Sequence, residues 1–115
     1  MRGPAWVPEA GDIVWLEFDP QAGHEQAGHR PAVVLSPAQY NGRTGMVVCC
    51  PTTTRIKGYS FEVALPGRPP SVILADQVKS QDWRARRAKR KGSVSPAVLA
   101  EVRAKLAALI GIDPA

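Results

Sequence analysis

The chain has 115 residues, of which 44% are hydrophobic, and it carries a formal net charge of +5 at pH 7. This length predicts one domain over residues 1–115, and the apolar content together with three tryptophans excludes a disordered tail. Because no apolar run reaches about 18 residues and residues 1–8 contain no signal core, we expect a cytoplasmic protein with no membrane partner.

Alternating apolar and polar residues, or short apolar runs, predict strands over residues 12–18, 31–36, 46–50, 61–65 and 71–75. Asn41-Gly42 predicts a turn, and the prolines of residues 66–70 predict a connection outside the sheet. Residues 20–30 follow neither a strand nor a helix period. They predict a long loop, and long loops in small domains are commonly functional.

The hydrophobic period changes near the C-terminus. Apolar residues recur there at spacings of three and four, which predicts an amphipathic helix carrying Leu99, Val102, Leu106 and Leu109 on one face. Ser95 is suited to cap this helix, Pro96 to its first turn and Gly111 to its end. Strands joined by short connections and followed by one helix predict a mainly β fold, a compact barrel with the helix packed on it.

Cys49 and Cys50 are neighbours in the sequence. Consecutive side chains of a strand point to opposite faces, so this pair is poorly placed to form a disulfide or to share a metal. We expect two buried free thiols.

The positive charge is concentrated in residues 79–91, called the basic segment below. It contains one acidic residue, Asp82, and the cationic residues Lys79, Arg84, Arg86, Arg87, Lys89, Arg90 and Lys91. Such a segment is typical of a surface that binds a polyanion, although a solvated loop explains the charge equally well. Trp83 lies within it, where it could stack on a nucleic-acid base or pack internally.

Several motifs together resemble the MazF/PemK family of toxin endoribonucleases, which belong to type II toxin–antitoxin systems. The matching segments are GDIVWLEFDP, EQAGHRPAVVLSP, PTTT, KGYSFEV, ADQVKS and LIG, and they extend from about Gly11 to Gly111. The E-Q-x-G-x-R-P block is specific to the family. The spacing is similar to that of members cleaving at ACA-containing sites.

The resemblance implies an SH3-like barrel of the MazF/CcdB type and a homodimer. It implies sequence-specific cleavage of single-stranded RNA by attack of a ribose 2′-OH on the adjacent phosphate. The products would be a 2′,3′-cyclic phosphate and a 5′-OH end, formed without a metal or a cofactor. A MazE-like antitoxin is the implied protein partner, with an acidic tail for which the basic segment is a suitable landing site.

By position in the motifs, Arg30 matches the catalytic arginine of the family, Thr53 its catalytic hydroxyl and Glu25 an acidic residue of the same site. Arg30 can donate two hydrogen bonds to a phosphate, and Thr53 can donate to the same oxygens. The residues leave open whether Glu25 or Arg30 moves the 2′-OH proton. Further RNA contacts are expected at His29, Asn41, Thr54, Lys57, Gln77, Lys79 and Arg86, although His29 also suits a structural role.

Two other functions fit parts of the sequence. A non-catalytic CcdB-like gyrase poison would share the barrel, but it leaves Glu25, Arg30 and Thr53 without a purpose. A simple SH3-like module that binds nucleic acid is supported by the basic segment alone. Incubation with RNA in the presence of EDTA separates both from a ribonuclease, because neither would cleave.

Overall fold

The computed structural model describes residues 6–18 and 28–112. The elements of this part of the chain are β1 (Asp12–Phe18), β2 (Gly28–Val34), α1 (Ala38–Thr44), β3 (Met46–Thr53), β4 (Glu62–Leu65), β5 (Ser71–Leu74), a 3-10 turn (Ala75–Gln77), β6 (Lys79–Asp82), β7 (Lys89–Ser93) and α2 (Pro96–Leu109). The predicted strands and terminal helix are therefore present. The long loop predicted over residues 20–30 lies largely outside the described residues, although β2 already begins at Gly28.

The strands form one antiparallel sheet in the order β4-β5-β3-β2-β1-β7, with β6 paired to β3. Two strands pair with the same edge of β3. Residues 46–49 of β3 pair with β6, and residues 52–53 pair with β5. Residues 49–51 pair with β2 on the opposite edge. Because each strand twists, the sheet divides at β3 and curls into a half-barrel, as expected for the predicted mainly β barrel with a C-terminal helix.

Apolar side chains pack on both faces of this sheet. The helix-side cluster contains Ile13, Val33, Leu35, Cys50, Val63, Ile73, Ala75 and Val102. The Trp83-side cluster contains Val14, Leu16, Ala32, Val34, Val47, Cys49 and Trp83. Since neighbouring residues of β1, β2 and β3 alternate between the clusters, the buried part of each strand is a short apolar run in the sequence, at residues 13–16, 32–34 and 47–50.

The cysteine prediction is confirmed. Cys49 and Cys50 are free and buried, and they belong to the two different clusters. Burial raises the pKa of the Cys49 thiol to about 11 and that of the Cys50 thiol to about 12. Both thiols are therefore protonated at neutral pH and behave as small apolar side chains.

Helix α2 begins as the sequence indicates. The Ser95 hydroxyl accepts a hydrogen bond from the Val98 amide at 3.2 Å, and Pro96 occupies the first turn. The apolar face of the helix packs against the helix-side cluster through residues 98, 99, 102 and 106. Leu109, predicted on the same face, is instead 55% exposed, because the last turn extends beyond the cluster.

One local prediction is wrong. Asn41-Gly42 does not form a turn between strands but lies inside α1, whose left-handed end is supplied by Gly45 at φ 74°. The basic segment, for which the sequence left a polyanion-binding surface and a solvated loop open, forms β6, a turn and β7, and most of its cations are exposed. Trp83 packs in the core with 7% exposure, and its indole N–H donates to the Asn41 carbonyl at 2.9 Å.

No helix of the described residues is long and apolar enough to cross a membrane.

Candidate functional site

The register of β2 and β3 leads toward Arg30 and Thr53. The last pair of the two strands joins Ala32 with Pro51, and Arg30 and Thr53 each lie two residues beyond that pair. The Thr52 hydroxyl donates to the Pro31 carbonyl at 3.4 Å, so the strands are still adjacent there. Residues two apart in a strand share a face, so Arg30 and Thr53 lie on the face of the Trp83-side cluster, just beyond its last apolar residue.

The surroundings of Thr53 fix what its hydroxyl can do. The Arg55 amide donates to Thr53 Oγ1 at 3.1 Å. One acceptor position of the oxygen is thus occupied by the chain itself, while the hydroxyl proton can be donated to another group. Thr53 is also paired with Val72 of β5. A hydroxyl fixed by the pairing of β3 with β5 and by the Arg55 amide is well placed for a preorganised donor.

Two more cations border the same face. Lys79 of β6 is paired with Cys49 of β3, which brings it next to the Trp83-side cluster. Arg86 exchanges contacts with Glu17 of β1: its carbonyl accepts from the Glu17 amide at 2.8 Å, and its Nη1 donates to the Glu17 carbonyl at 3.4 Å. Lys79 and Arg86 both act to lower the pKa of the Cys49 thiol, although burial dominates and raises it. Their shared effect shows that both charges lie near one residue.

The remaining predicted RNA contacts lie on several elements. Thr54 and Lys57 are exposed after the end of β3. Gln77 is exposed at the end of the 3-10 turn, two residues before Lys79. His29 lies on β2 opposite Glu17. Glu25 lies outside the described residues.

Asn41 is placed differently from the prediction. It is fully buried, and its side-chain amide donates to the carbonyls of Pro8 and Ser36 at 2.8 and 2.9 Å. Its carbonyl oxygen accepts from the Ser36 hydroxyl at 2.6 Å. These bonds join the N-terminal segment to α1 and β2, which corrects the expectation that Asn41 lies on the RNA surface.

Glu62 was overlooked by the sequence analysis. The alternation of β4 makes it an outward-facing polar residue, yet it is 9% exposed. Its carboxylate oxygens accept the backbone amides of Lys57 and Gly58 at 3.1 and 2.9 Å. Burial is tolerated because the carboxylate accepts two hydrogen bonds, and a strand period gives no sign of such contacts with the preceding loop.

The titratable residues form no metal-like arrangement in residues 6–18 and 28–112, where no group of three or more His, Cys, Asp or Glu side chains could hold a metal ion. What the site offers instead is cations and a hydroxyl at the end of a rigid β frame. Such groups bind and stabilise negative charge on phosphate oxygens.

The comparisons with known proteins identify the class to which this half-barrel belongs. Residues 9–110 match the model of the PemK-like, MazF-like toxins of type II toxin–antitoxin systems. The chain therefore belongs to this toxin family.

Within the family, the chain is 58% identical to the endoribonuclease toxin MazF of Escherichia coli (strain K12) over 107 residues, covering 92% of this chain and 96% of the relative. It is 56% identical to a chain in the crystal structure of MazE-MazF (Form-II) from Deinococcus radiodurans, with a TM-score of 0.87 and coverage of 95% and 100% of the two chains. A mycobacterial endoribonuclease is only 21% identical but has a TM-score of 0.72 over 92% of this chain and 93% of that one. The fold is thus retained where most of the sequence differs.

Proposed function

We propose that the chain is a sequence-specific endoribonuclease toxin that cleaves single-stranded RNA without a metal ion. The 2′-OH of one ribose gives up its proton and its oxygen attacks the adjacent phosphorus. The bond from phosphorus to the 5′-oxygen breaks, and that oxygen takes up a proton from water. The products are a 2′,3′-cyclic phosphate and a 5′-OH end. The observation that supports the proposal is that Arg30 and Thr53 follow, by two residues each, the last pair of β2 and β3, and that strand alternation puts them on one face of the sheet.

Each residue has a role that follows from its chemistry. The Arg30 guanidinium stays charged throughout and donates two hydrogen bonds to the non-bridging oxygens. Thr53 donates its proton to the same oxygens, where negative charge grows in the transition state. Glu25 is the group we assign to accept the 2′-OH proton, since a carboxylate at neutral pH is a proton acceptor and a guanidinium is not. Lys79 and Arg86 hold neighbouring phosphates.

The first experiment measures cleavage of a single-stranded RNA in millimolar EDTA, with the ends of the fragments identified. Arg30→Gln and Thr53→Val should each lower kcat by on the order of 10²–10³, the usual effect of losing one positioned donor. Arg43→Gln and Thr52→Val are matched controls, since Arg43 is exposed on α1 and Thr52 faces the other side of β3. Loss of all cleavage in EDTA, or normal turnover by a folded Arg30→Gln protein, would contradict the mechanism.

We further propose that the active form is a homodimer. The end of α2 leaves an apolar groove of about 320 Å³, lined in part by Leu35, Val48 and Leu106. Ile110 and Ile112, which also line this groove, are 60% and 55% exposed. An apolar surface of this kind is stabilised when a second copy covers it. Ile110→Glu should therefore give a monomer by light scattering. The matched substitution Ala100→Glu, on an exposed position of α2 outside the groove, should leave the protein dimeric. A dimeric Ile110→Glu protein would remove α2 from the interface.

The proposed protein partner is a MazE-like antitoxin. The relative from Deinococcus radiodurans was crystallised as MazE-MazF. In this chain, the exposed cations of the basic segment supply an electrostatic surface for an acidic tail of such an antitoxin. Inhibition of cleavage by the antitoxin should weaken as salt is added, because contacts between exposed charges are screened.

A further inference from the structure

The segment between β3 and β4, residues 54–61, joins the proposed catalytic Thr53 to the buried Glu62. It contains neither helix nor strand, and most of its residues are exposed. It also carries Lys57, one of the proposed RNA contacts. An irregular segment of this length has many conformations of its own, so something else must decide where Lys57 is presented.

The Glu62 carboxylate provides that constraint. Its Oε2 accepts the Lys57 amide at 3.1 Å, and its Oε1 accepts the Gly58 amide at 2.9 Å. Two successive N–H groups thus converge on one anion, an arrangement of backbone amides that binds negative charge well. Gly58 has φ +81°, a left-handed conformation that glycine adopts at little cost and that redirects the chain between this amide and Glu62.

Helix α2 fixes the same region from the other side. Lys105 Nζ donates to the Ser60 carbonyl at 2.6 Å and to the Glu62 carbonyl at 3.0 Å. It also forms an ion pair with Glu101 at 3.5 Å, within the helix. The carboxylate therefore holds the middle of the segment, and the lysine holds its end against the scaffold. We call Glu62 and Lys105 the loop clamp.

The side chains of the clamped segment are ordered in their turn. Tyr59 stacks on Phe61 with ring centroids 5.1 Å apart, and the Lys57 ammonium lies 6.0 Å from the centre of the Tyr59 ring. The lysine stem thus has an aromatic surface to lie along, while its residue remains exposed. When Lys57 binds a phosphate, it therefore loses less conformational freedom than a lysine in an unconstrained loop would lose.

We propose that Glu62 is a positioning residue for RNA: the loop clamp holds residues 54–61 so that Lys57 meets a substrate phosphate beside Thr53. The proposal rests on the ribonuclease function proposed above. Glu62 itself touches no substrate. It acts through the Lys57 and Gly58 amides.

A double-mutant cycle tests the proposal on the full-length protein. Glu62→Gln keeps the size of the side chain but leaves one oxygen for two amide donors, and Lys57→Met removes the charge while keeping the stem. The readout is the dissociation constant for a 2′-O-methyl single-stranded oligoribonucleotide, which cannot be cleaved. Loss of Lys57 should weaken binding about tenfold, as expected for one charge-assisted contact. Glu62→Gln should weaken it by a similar or smaller factor, and the double variant should bind no more weakly than Lys57→Met alone.

Two further variants separate positioning from folding. Glu101→Gln removes a charge near the same lysine and should leave binding unchanged. Lys105→Met loosens the loop clamp but leaves the Glu62 carboxylate in place. It should weaken binding as Glu62→Gln does, and it therefore provides the same test if the Glu62→Gln protein folds poorly. Independent, additive effects of Glu62→Gln and Lys57→Met would overturn the proposal, as would normal binding by Lys57→Met. If the cycle behaves as expected but unmodified RNA is not cleaved, the clamp stands and the proposed enzymatic activity fails.

Discussion

Replacing Asn41 by alanine should destabilise the protein strongly without changing its intrinsic affinity for RNA. The substitution removes three side-chain hydrogen bonds, two given to the carbonyls of Pro8 and Ser36 and one accepted from the Ser36 hydroxyl. The site is fully buried, so water cannot replace the lost partners. At about 1 kcal/mol for each bond, the loss in the free energy of unfolding is about 3 kcal/mol.

The magnitude is large enough for an unambiguous assay. For a domain of this size, about 3 kcal/mol corresponds to a fall in Tm of roughly 12 °C. Urea unfolding at one fixed protein concentration measures the loss, with an unchanged slope indicating that the same surface is exposed. Gln39→Ala, a similar truncation on the exposed face of α1, is the matched control and should stay within about 0.5 kcal/mol.

Two results would refute this account of Asn41. If the free energy of unfolding fell by less than about 1 kcal/mol, the buried hydrogen bonds would be hardly stronger than the hydrogen bonds that the same groups form with water in the unfolded chain. A folded Asn41→Ala protein with much weaker RNA binding, measured well below its Tm, would return Asn41 to the RNA surface. Asn41→Asp is an informative companion, because it turns a carboxylate toward two carbonyl oxygens and should destabilise at least as much.

Two other predictions concern the thiols and the basic segment. Since the pKa values of Cys49 and Cys50 are raised to about 11 and 12, a thiol reagent at pH 8 should react with the native protein no faster than the protein unfolds. Because the pKa values are raised in the folded protein, the stability that they contribute is fully present below pH 9.0, the ordinary thiol value, and is lost as the pH rises through the folded values. The free energy of unfolding should therefore fall above pH 9.0. A free energy of unfolding that does not change in this range would show that burial does not control these thiols. In the basic segment, Arg87→Gln should reduce the slope of log K against log salt for RNA by about 0.7 if Arg87 contacts a phosphate, with the cleavage motif unchanged. Arg84 is the control, because its guanidinium stacks 4.9 Å from the Trp83 ring and donates to the Gly42 carbonyl, and equal slopes for Arg84→Gln and Arg87→Gln would argue against a specific contact.

Much of the fold could be predicted from the sequence, because the relevant signals are local. Strand runs such as residues 12–18 and 46–50 and the capped helix after Ser95 are set by hydrophobic period and by the residues at their ends. The opposite faces of Cys49 and Cys50 follow from strand geometry alone. The motif around Arg30 and the PTTT segment also located the candidate site, since motif spacing is a property of the chain itself.

The tertiary structure alone decided which polar residues are available to a partner. Asn41 and Glu62 are polar residues of the kind usually found on the surface, yet both are buried because backbone groups satisfy them. For Asn41 one of these groups is the distant Pro8 carbonyl, and for Glu62 they are the amides of the preceding loop. The basic segment gives no strand period, yet pairing with β3 and β1 makes its ends into strands. Arg30 and Thr53 are separated in sequence and become neighbours only through the register of β2 and β3. A local hydrophobic period carries no information about which distant segments will pair. Hydrogen bonds between such segments therefore become visible only in the folded structure.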